Sequence, residues 1–231
     1  MPELNGTAQY GSSTSFCDYI VSHQLAAAKP QSIVDFGAGG GKNGSLAREV
    51  LGRNAHLIAV EGCEGNTQKL REDGLYDEVH GCLLQDWLRQ DASSYDLAIF
   101  GDVLEHLTPK DIHWVIGQCM KRFRHIIVVI PLYDIFQDAV YENPLEVHRA
   151  YVTESFFNVY PVTEKHIVQG ADYVIMNVLI VTGDQRRTPV HRRAAKSLFH
   201  VAMLVLQPLG LARPTVDFIK RHFLRYKGIL R

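Results

Sequence analysis

Cysteine is scarce in this chain. The four residues Cys17, Cys63, Cys82 and Cys119 are scattered, with no C-x-x-C pair and no Cys/His set at zinc-finger spacing. That spacing gives neither a disulfide framework nor a structural zinc, and the thiols read as reduced, which makes the cytoplasm the expected location. Long apolar runs are missing as well. The longest, Leu198 to Leu206, is interrupted by His200 and closed by Gln207 and Pro208, well short of the roughly 20 residues that cross a bilayer. Met1 to Gln9 contains Glu3 and lacks the basic start and apolar core of a secretory signal. There is no internal repeat and no low-complexity segment.

What is present is ordinary for a globular protein: 46% hydrophobic and 21% charged residues over a length of 231, enough for one sizeable domain with an appendage. The net charge is only -1, but it is unevenly spread. Residues 1–184 carry 13 Lys and Arg against 24 Asp and Glu, whereas residues 185–231 carry 11 against the single acid Asp217. An acidic domain over 1–184 and a basic extension over 185–231 follow from that split.

From about residue 14 to residue 130, apolar runs alternate with helical stretches, the pattern of a parallel sheet covered by helices on both faces. A helix is expected from about Thr14 to Lys29, stopped by Pro30, then strands at Ser32–Phe36, His56–Val60, Glu78–Leu84, Leu97–Gly101 and His125–Ile130. Helices are expected between them, near 43–51, 67–72 and 109–122. Later, Tyr160–Gln169 and Tyr173–Thr182 are joined by Gly170, Ala171 and Asp172, which signals an antiparallel hairpin. After Thr188 two helices are expected, about 190–206 and 214–226. The fold class is therefore α/β, a Rossmann-like doubly wound sheet, mostly parallel with an antiparallel late hairpin, plus a C-terminal helical extension.

The chemistry begins at Asp35-Phe-Gly37-Ala-Gly39-Gly-Gly41, where a strand ends and a helix is about to start. The chain must turn sharply there with its amides exposed, and glycine meets both needs. Glu61 follows twenty residues after Gly41, at the end of the next strand, where a carboxylate can accept hydrogen bonds from the two hydroxyls of a ribose. Gly39, Gly41 and Gly44 also fit a dinucleotide fingerprint. Against pyrophosphate, an acid stands two positions before the first glycine, and a carboxylate near the loop suits a cationic amino-acid ligand better.

Ile33 to Gly44 resembles motif I of the class I S-adenosylmethionine-dependent methyltransferases, and the likeness continues in order along the chain. Val60-Glu61 is similar to the ribose-binding position. Leu84-Gln85-Asp86-Trp87 resembles the segment whose acid meets the adenine amine and whose neighbour covers the ring. Tyr95 to Leu107, with Gly101 and Asp-Val-Leu-Glu-His-Leu from Asp102, resembles motif IV of one subgroup. The resemblance covers about residues 14–183. It implies S-adenosyl-L-methionine as cofactor, bound by Asp35, Gly37, Gly39, Gly41, Glu61, Asp86, Trp87, Gly101 and Asp102.

Methyl transfer needs an acceptor held in line with the methyl group and water kept out, and a base where the acceptor is a hydroxyl. The expected catalytic residues are His148, His106 and Asp102. Asp102, Glu105 and His106 are spaced to share one face of a helix beginning there; the plainer reading makes Asp102 and Glu105 a capping box and packs His106. The segment after the fifth strand, Glu142 to Arg149, concentrates polar groups among tyrosines, so Glu105, Tyr133, Tyr141, His148 and Arg149 are expected to bind the acceptor. No metal is expected. Asp102 or Glu105, with His106 and His148, resembles the metal set of small-RNA 2'-O-methyltransferases only in part, since that family uses two glutamates and two histidines and this chain has Asp102 at one position and no adjacent histidine pair.

The expected activity is methylation, at oxygen, of a small molecule or glycan. RNA methylation and a cofactor-binding scaffold without turnover are the alternatives. The basic tail flanks an apolar run, which suits a homodimer contact, packing on the acidic domain, or peripheral contact with the inner face of a membrane. Its basic residues are not interleaved with a stacking platform, which argues against nucleic acid as the partner.

Overall fold

The computed structural model describes residues 15–133, 137–139, 143–170 and 173–182. These residues all fall in the unit Met1–Gln185. The helices expected in the basic tail, Tyr141, and the loop residues Ala171 and Asp172 lie outside the described residues. Among the described residues no helix is long and apolar enough to cross a membrane.

The apolar runs form β1 (Ser32–Phe36), β2 (His56–Glu61), β3 (Glu78–Gly81), β4 (Tyr95–Gly101), β5 (Phe123–Leu132), β6 (Val162–Gln169) and β7 (Val174–Val181). The helices are α1 (Asp18–Ala28), α2 (Lys42–Leu51), α3 (Glu64–Asp73), α4 (Leu84–Gln90) and α5 (Pro109–Cys119). One sheet runs in the order β3-β2-β1-β4-β5-β7-β6. The first five strands pair in parallel, and β7 joins β5 and β6 antiparallel, as the late hairpin predicts.

The inner strands are apolar on both sides because both faces are covered. Alternation sends Val34, Phe36, Ala98 and Phe100 to one core, where the Phe36 and Phe100 rings stack with centroids 4.9 Å apart, and sends Ile33, Leu97 and Ile99 to the other. Asn177 interrupts apolar β7 for a reason. It is fully buried and exchanges two hydrogen bonds with Gln24, 2.9 and 3.1 Å, which tie α1 to the sheet. Helix α1 ends on Lys29 in the left-handed region, whose N–H returns to the Leu25 carbonyl just before Pro30.

Several boundaries differ from the sequence expectation, three of them instructively. Strand β3 stops at Gly81, and Leu84 starts α4 instead of ending the strand, because the apolar pair Leu83-Leu84 reads as a continuation of it. Helix α5 ends at Cys119 while Arg122 turns back to the carbonyls of Leu88, Asp91 and Gln118. No α-helix begins at Asp102. That residue sits at φ 53, and Leu104–His106 make only a short 3-10 turn before Thr108 caps α5 by accepting from the Asp111 N–H.

Candidate active site

The sheet order reverses between β1 and β4, since the chain leaves β1 toward β2 and β3 and returns to place β4 on its other side. In open α/β sheets, ligands bind beyond the carboxyl ends of the strands at such a point. The glycine turn lies there, with Gly37, Gly39 and Gly41 all at positive φ, 64, 53 and 82. Gly37 is required twice over: besides its φ, a Cβ there would lie 2.5 Å from Val103 Cγ2. The turn after β1 and the turn after β4 are thus in direct contact.

Glu61 closes the turn from the side. Its Oε2 accepts from the Gly39 N–H at 2.7 Å and its Oε1 from the Cys63 N–H at 2.8 Å. The side chain is 7% exposed, and burial lifts its carboxyl above the ordinary value against those donors. Beside it, Leu83 is 43% exposed, and Leu83 and Leu145 both reach the space above Gly62, 3.0 and 3.1 Å from where a Cβ would stand. Glu146 faces the same edge. It is raised by burial first and by the charge of Glu61 second. Leu83, Leu145 and Glu146 were not among the site residues expected from the sequence; Leu83 lay within the expected strand Glu78–Leu84 and stands two positions beyond the end of β3.

Asp35 lies beneath the turn, buried, accepting from Tyr76 Oη at 2.6 Å and from Asn43 Nδ2 at 3.3 Å. Burial pushes its carboxyl up to about 6, opposed by those two hydrogen bonds. Gly101 leaves room for the Asn43 amide, which a Cβ would meet at 2.5 Å. Asp86 is in the first turn of α4 and pairs with Arg89 at 2.7 Å. Trp87 is 4% exposed, packed edge-on against Phe36 in the core, so the exposed apolar side chain at that end of the sheet is Leu83.

Beyond β4 the chain brings the expected acceptor residues together. The Arg149 and Ala150 N–H groups both donate to the Glu105 carbonyl, at 2.8 and 3.1 Å, which lays residues 147–150 along the 3-10 turn. Glu105 is 2% exposed. Its carboxylate oxygen and one ring nitrogen each of His106 and His148 lie within 4.8 Å of one another, and the two rings are 5.0 Å apart at 56°. Burial, then the neighbouring His148, pushes His106 down to about 4, against the carbonyls of Val147, Glu146 and Asp102. It is neutral at physiological pH.

The charge of Asp102 adds to burial, the larger cause, in lifting the Cys17 thiol to about 12. Arg149 is exposed. Tyr133, at φ 60 after β5, donates from Oη to Glu154 at 3.1 Å, and its ring lies 6.3 Å from that of Tyr151. Both tyrosines are exposed.

Three solved structures share this architecture. The N-terminal domain of EvdMO1, crystallised in the presence of S-adenosylhomocysteine and D-fucose, matches with TM-score 0.52 at 14% identity over 79% of this chain and 92% of its own. The O-methyltransferase TomG from Streptomyces achromogenes, in complex with S-adenosylmethionine, matches with TM-score 0.50 at 17% identity over 79% and 84%. The fold is that of the S-adenosylmethionine-dependent methyltransferases. TehB from Haemophilus influenzae matches this methyltransferase fold with TM-score 0.54 at 13% identity over 71% of this chain, which spans 62% of TehB. No family model matches the chain, and no curated protein sequence does.

Proposed function

We propose that this protein transfers a methyl group from S-adenosylmethionine to an oxygen of a small molecule or glycan. The observation that carries the reading is the lock between Glu61 and Gly39. It fixes an acidic side chain at the end of β2 against a turn of three positive-φ glycines, a cradle with open backbone on one side and a ribose-sized acceptor group on the other. Two fold neighbours crystallised with S-adenosylhomocysteine or S-adenosylmethionine support it.

In this reading Gly37, Gly39 and Gly41 admit the amino-acid end of the cofactor, Glu61 accepts from the ribose hydroxyls, and Leu83 and Leu145 flank the adenine. Asp86 lies close in sequence to take the adenine amine. Asp35 acts from below, through Tyr76 and Asn43, and Gly101 and Asp102 carry the turn that faces the donor.

Bound S-adenosylmethionine supplies the methyl: the acceptor oxygen bonds to the methyl carbon as the carbon–sulfur bond breaks and sulfur keeps the electron pair. The chain's part is to orient the acceptor and receive its proton. Val103, two positions before Glu105, packs against the glycine turn, and the carboxylate and imidazoles of Glu105, His106 and His148 are the groups in this reading that orient the acceptor and take its proton. Tyr133, Tyr151 and Arg149 line the approach, and an aromatic wall with polar edges suits a sugar or a hydroxylated ring.

Calorimetry with S-adenosylhomocysteine, followed by transfer of labelled methyl to a panel of hydroxylated small molecules and sugars, tests the reading. Binding and labelled ether products are expected. Failure to bind the product cofactor at millimolar concentration would sink it.

A further inference from the structure

Glu105, His106 and His148 come from two segments, the 3-10 turn after β4 and the stretch preceding Ala150, and nothing in their sequence separation requires them to meet. They meet because the Glu105 carbonyl accepts from both the Arg149 and Ala150 N–H groups and the His148 N–H donates to Gln137 O at 3.0 Å. The result is a carboxylate and two imidazoles whose donor atoms lie within 4.8 Å of one another, carried on backbone fixed at three points. The Nδ1 of His106 is buried and has no hydrogen-bond partner among the described residues.

We propose that Glu105, His106 and His148 bind a divalent first-row transition-metal ion. Three ligands of this kind on one side of an ion leave its other positions open. Two nitrogens and one oxygen favour manganese, iron, cobalt or zinc over magnesium or calcium, which take all-oxygen sets. Nitrogen and oxygen ligands at about 2.0 to 2.2 Å from a shared ion stand about 3 to 3.5 Å from one another. The ligand atoms, within 4.8 Å of one another, therefore have to draw together by up to about 1.3 to 1.8 Å to share an ion. An acceptor hydroxyl or a pair of neighbouring hydroxyls can complete the coordination at the open positions. That last assignment rests on the methyl-transfer reading, while the metal site itself does not.

The sequence left either Asp102 or Glu105 as the carboxylate beside His106 and His148; Glu105 is the one whose oxygen meets the two ring nitrogens.

The test uses the full chain, stripped with a chelator and titrated with cobalt(II), zinc and manganese in the absence of cofactor and acceptor. The expected result is one equivalent of cobalt bound with a visible absorption band, and a raised thermal midpoint with zinc or manganese. Glu105→Gln and His148→Gln should each weaken cobalt binding by more than the roughly 10-fold to 100-fold that loss of a supporting group costs. His113→Gln, whose ring stacks on Phe156 away from the cluster, should bind as the native chain does. Circular dichroism and the thermal midpoint without metal show whether each variant is folded, and His106→Gln provides a third ligand variant should one of the others fail.

Absence of a one-equivalent site in the native chain, or cobalt binding unchanged in two folded ligand variants, overturns the proposal. Cobalt binding without affinity for S-adenosylhomocysteine would keep the metal site and remove the methyl-transfer reading. Methyl transfer by a chain that binds no metal would do the reverse.

Discussion

Tyr76 joins the first strand to the second helix: its hydroxyl donates to Asp35 Oδ2 at 2.6 Å and accepts from the Gly44 N–H at 3.1 Å. One phenol thereby satisfies a buried carboxylate below the glycine turn and an amide in the first turn of α2. Tyr76→Phe removes both bonds and adds nothing in their place. Leaving buried polar groups unmatched costs about 1 to 3 kcal/mol, so the urea midpoint at pH 7 should fall by that equivalent with an unchanged slope. An unchanged midpoint would mean the chain of bonds contributes nothing.

Asp35 also gives the fold a pH dependence opposite to that of most native carboxylates. Its folded value of about 6 exceeds the unfolded value of about 3.9. Between those values the folded chain holds a proton that the unfolded chain has released, so stability from this group falls as pH rises through the window. Asp35→Asn removes the effect. Its stability relative to the native chain should improve by about 2 to 3 kcal/mol from pH 4 to pH 6 and stay level above pH 7. Parallel curves in urea titrations at several pH values would contradict the assignment.

Gly37→Ala should injure the site more than a surface glycine change would. A Cβ at 2.5 Å from Val103 Cγ2 in a residue at φ 64 forces either the turn or Val103 to move, at a cost of about 1 to 3 kcal/mol. Affinity for S-adenosylhomocysteine should fall together with the thermal midpoint. Gly52→Ala, with φ 66 but nothing within 4 Å of its Cβ, should lose stability and keep its affinity.

Glu61→Gln separates charge from shape. The amide can accept only through one oxygen, so of the Gly39 and Cys63 bonds one is lost. Affinity for S-adenosylhomocysteine measured by calorimetry should drop about tenfold or more, corresponding to the roughly 1.5 to 3 kcal/mol of a hydrogen bond to a charged group. Native affinity in this variant would remove Glu61 from the ribose site.

His148→Ala should retain cofactor affinity and lose methyl transfer, because His148 lies with Glu105 and His106 beyond β4 and the glycine cradle does not depend on it. Normal turnover would take His148 out of the mechanism.

Much of this architecture was legible in the order of residues, for reasons that are local. Strands buried on both faces read as Val, Ile, Leu and Phe runs, and the positive-φ turn reads as glycine, since other residues resist that conformation. Glu61 stood out because it ends such a run. What escaped was non-local or mimicked something else. Leu84 opens a helix although it follows Leu83 as a strand would, and with α4 beginning there Trp87 lies in the core. The spacing of Asp102, Glu105 and His106 fits a helical face, but Asp102 is left-handed and the turn is 3-10. The meeting of Glu105 with His148 depends on backbone bonds between distant segments, which no motif records.

The absent side chain of Gly37 lets Val103 pack directly against the glycine turn, which under the proposed methyl transfer makes Val103 the thin partition between donor and acceptor. A partition of one residue transmits pressure in both directions: enlarging Val103 to reshape the acceptor space would push on the donor turn, and enlarging Gly37 would push on the acceptor space. Under the proposed methyl transfer, specificity is therefore better retuned at Tyr133 and Tyr151, whose exposed side chains give a change of shape solvent to yield into.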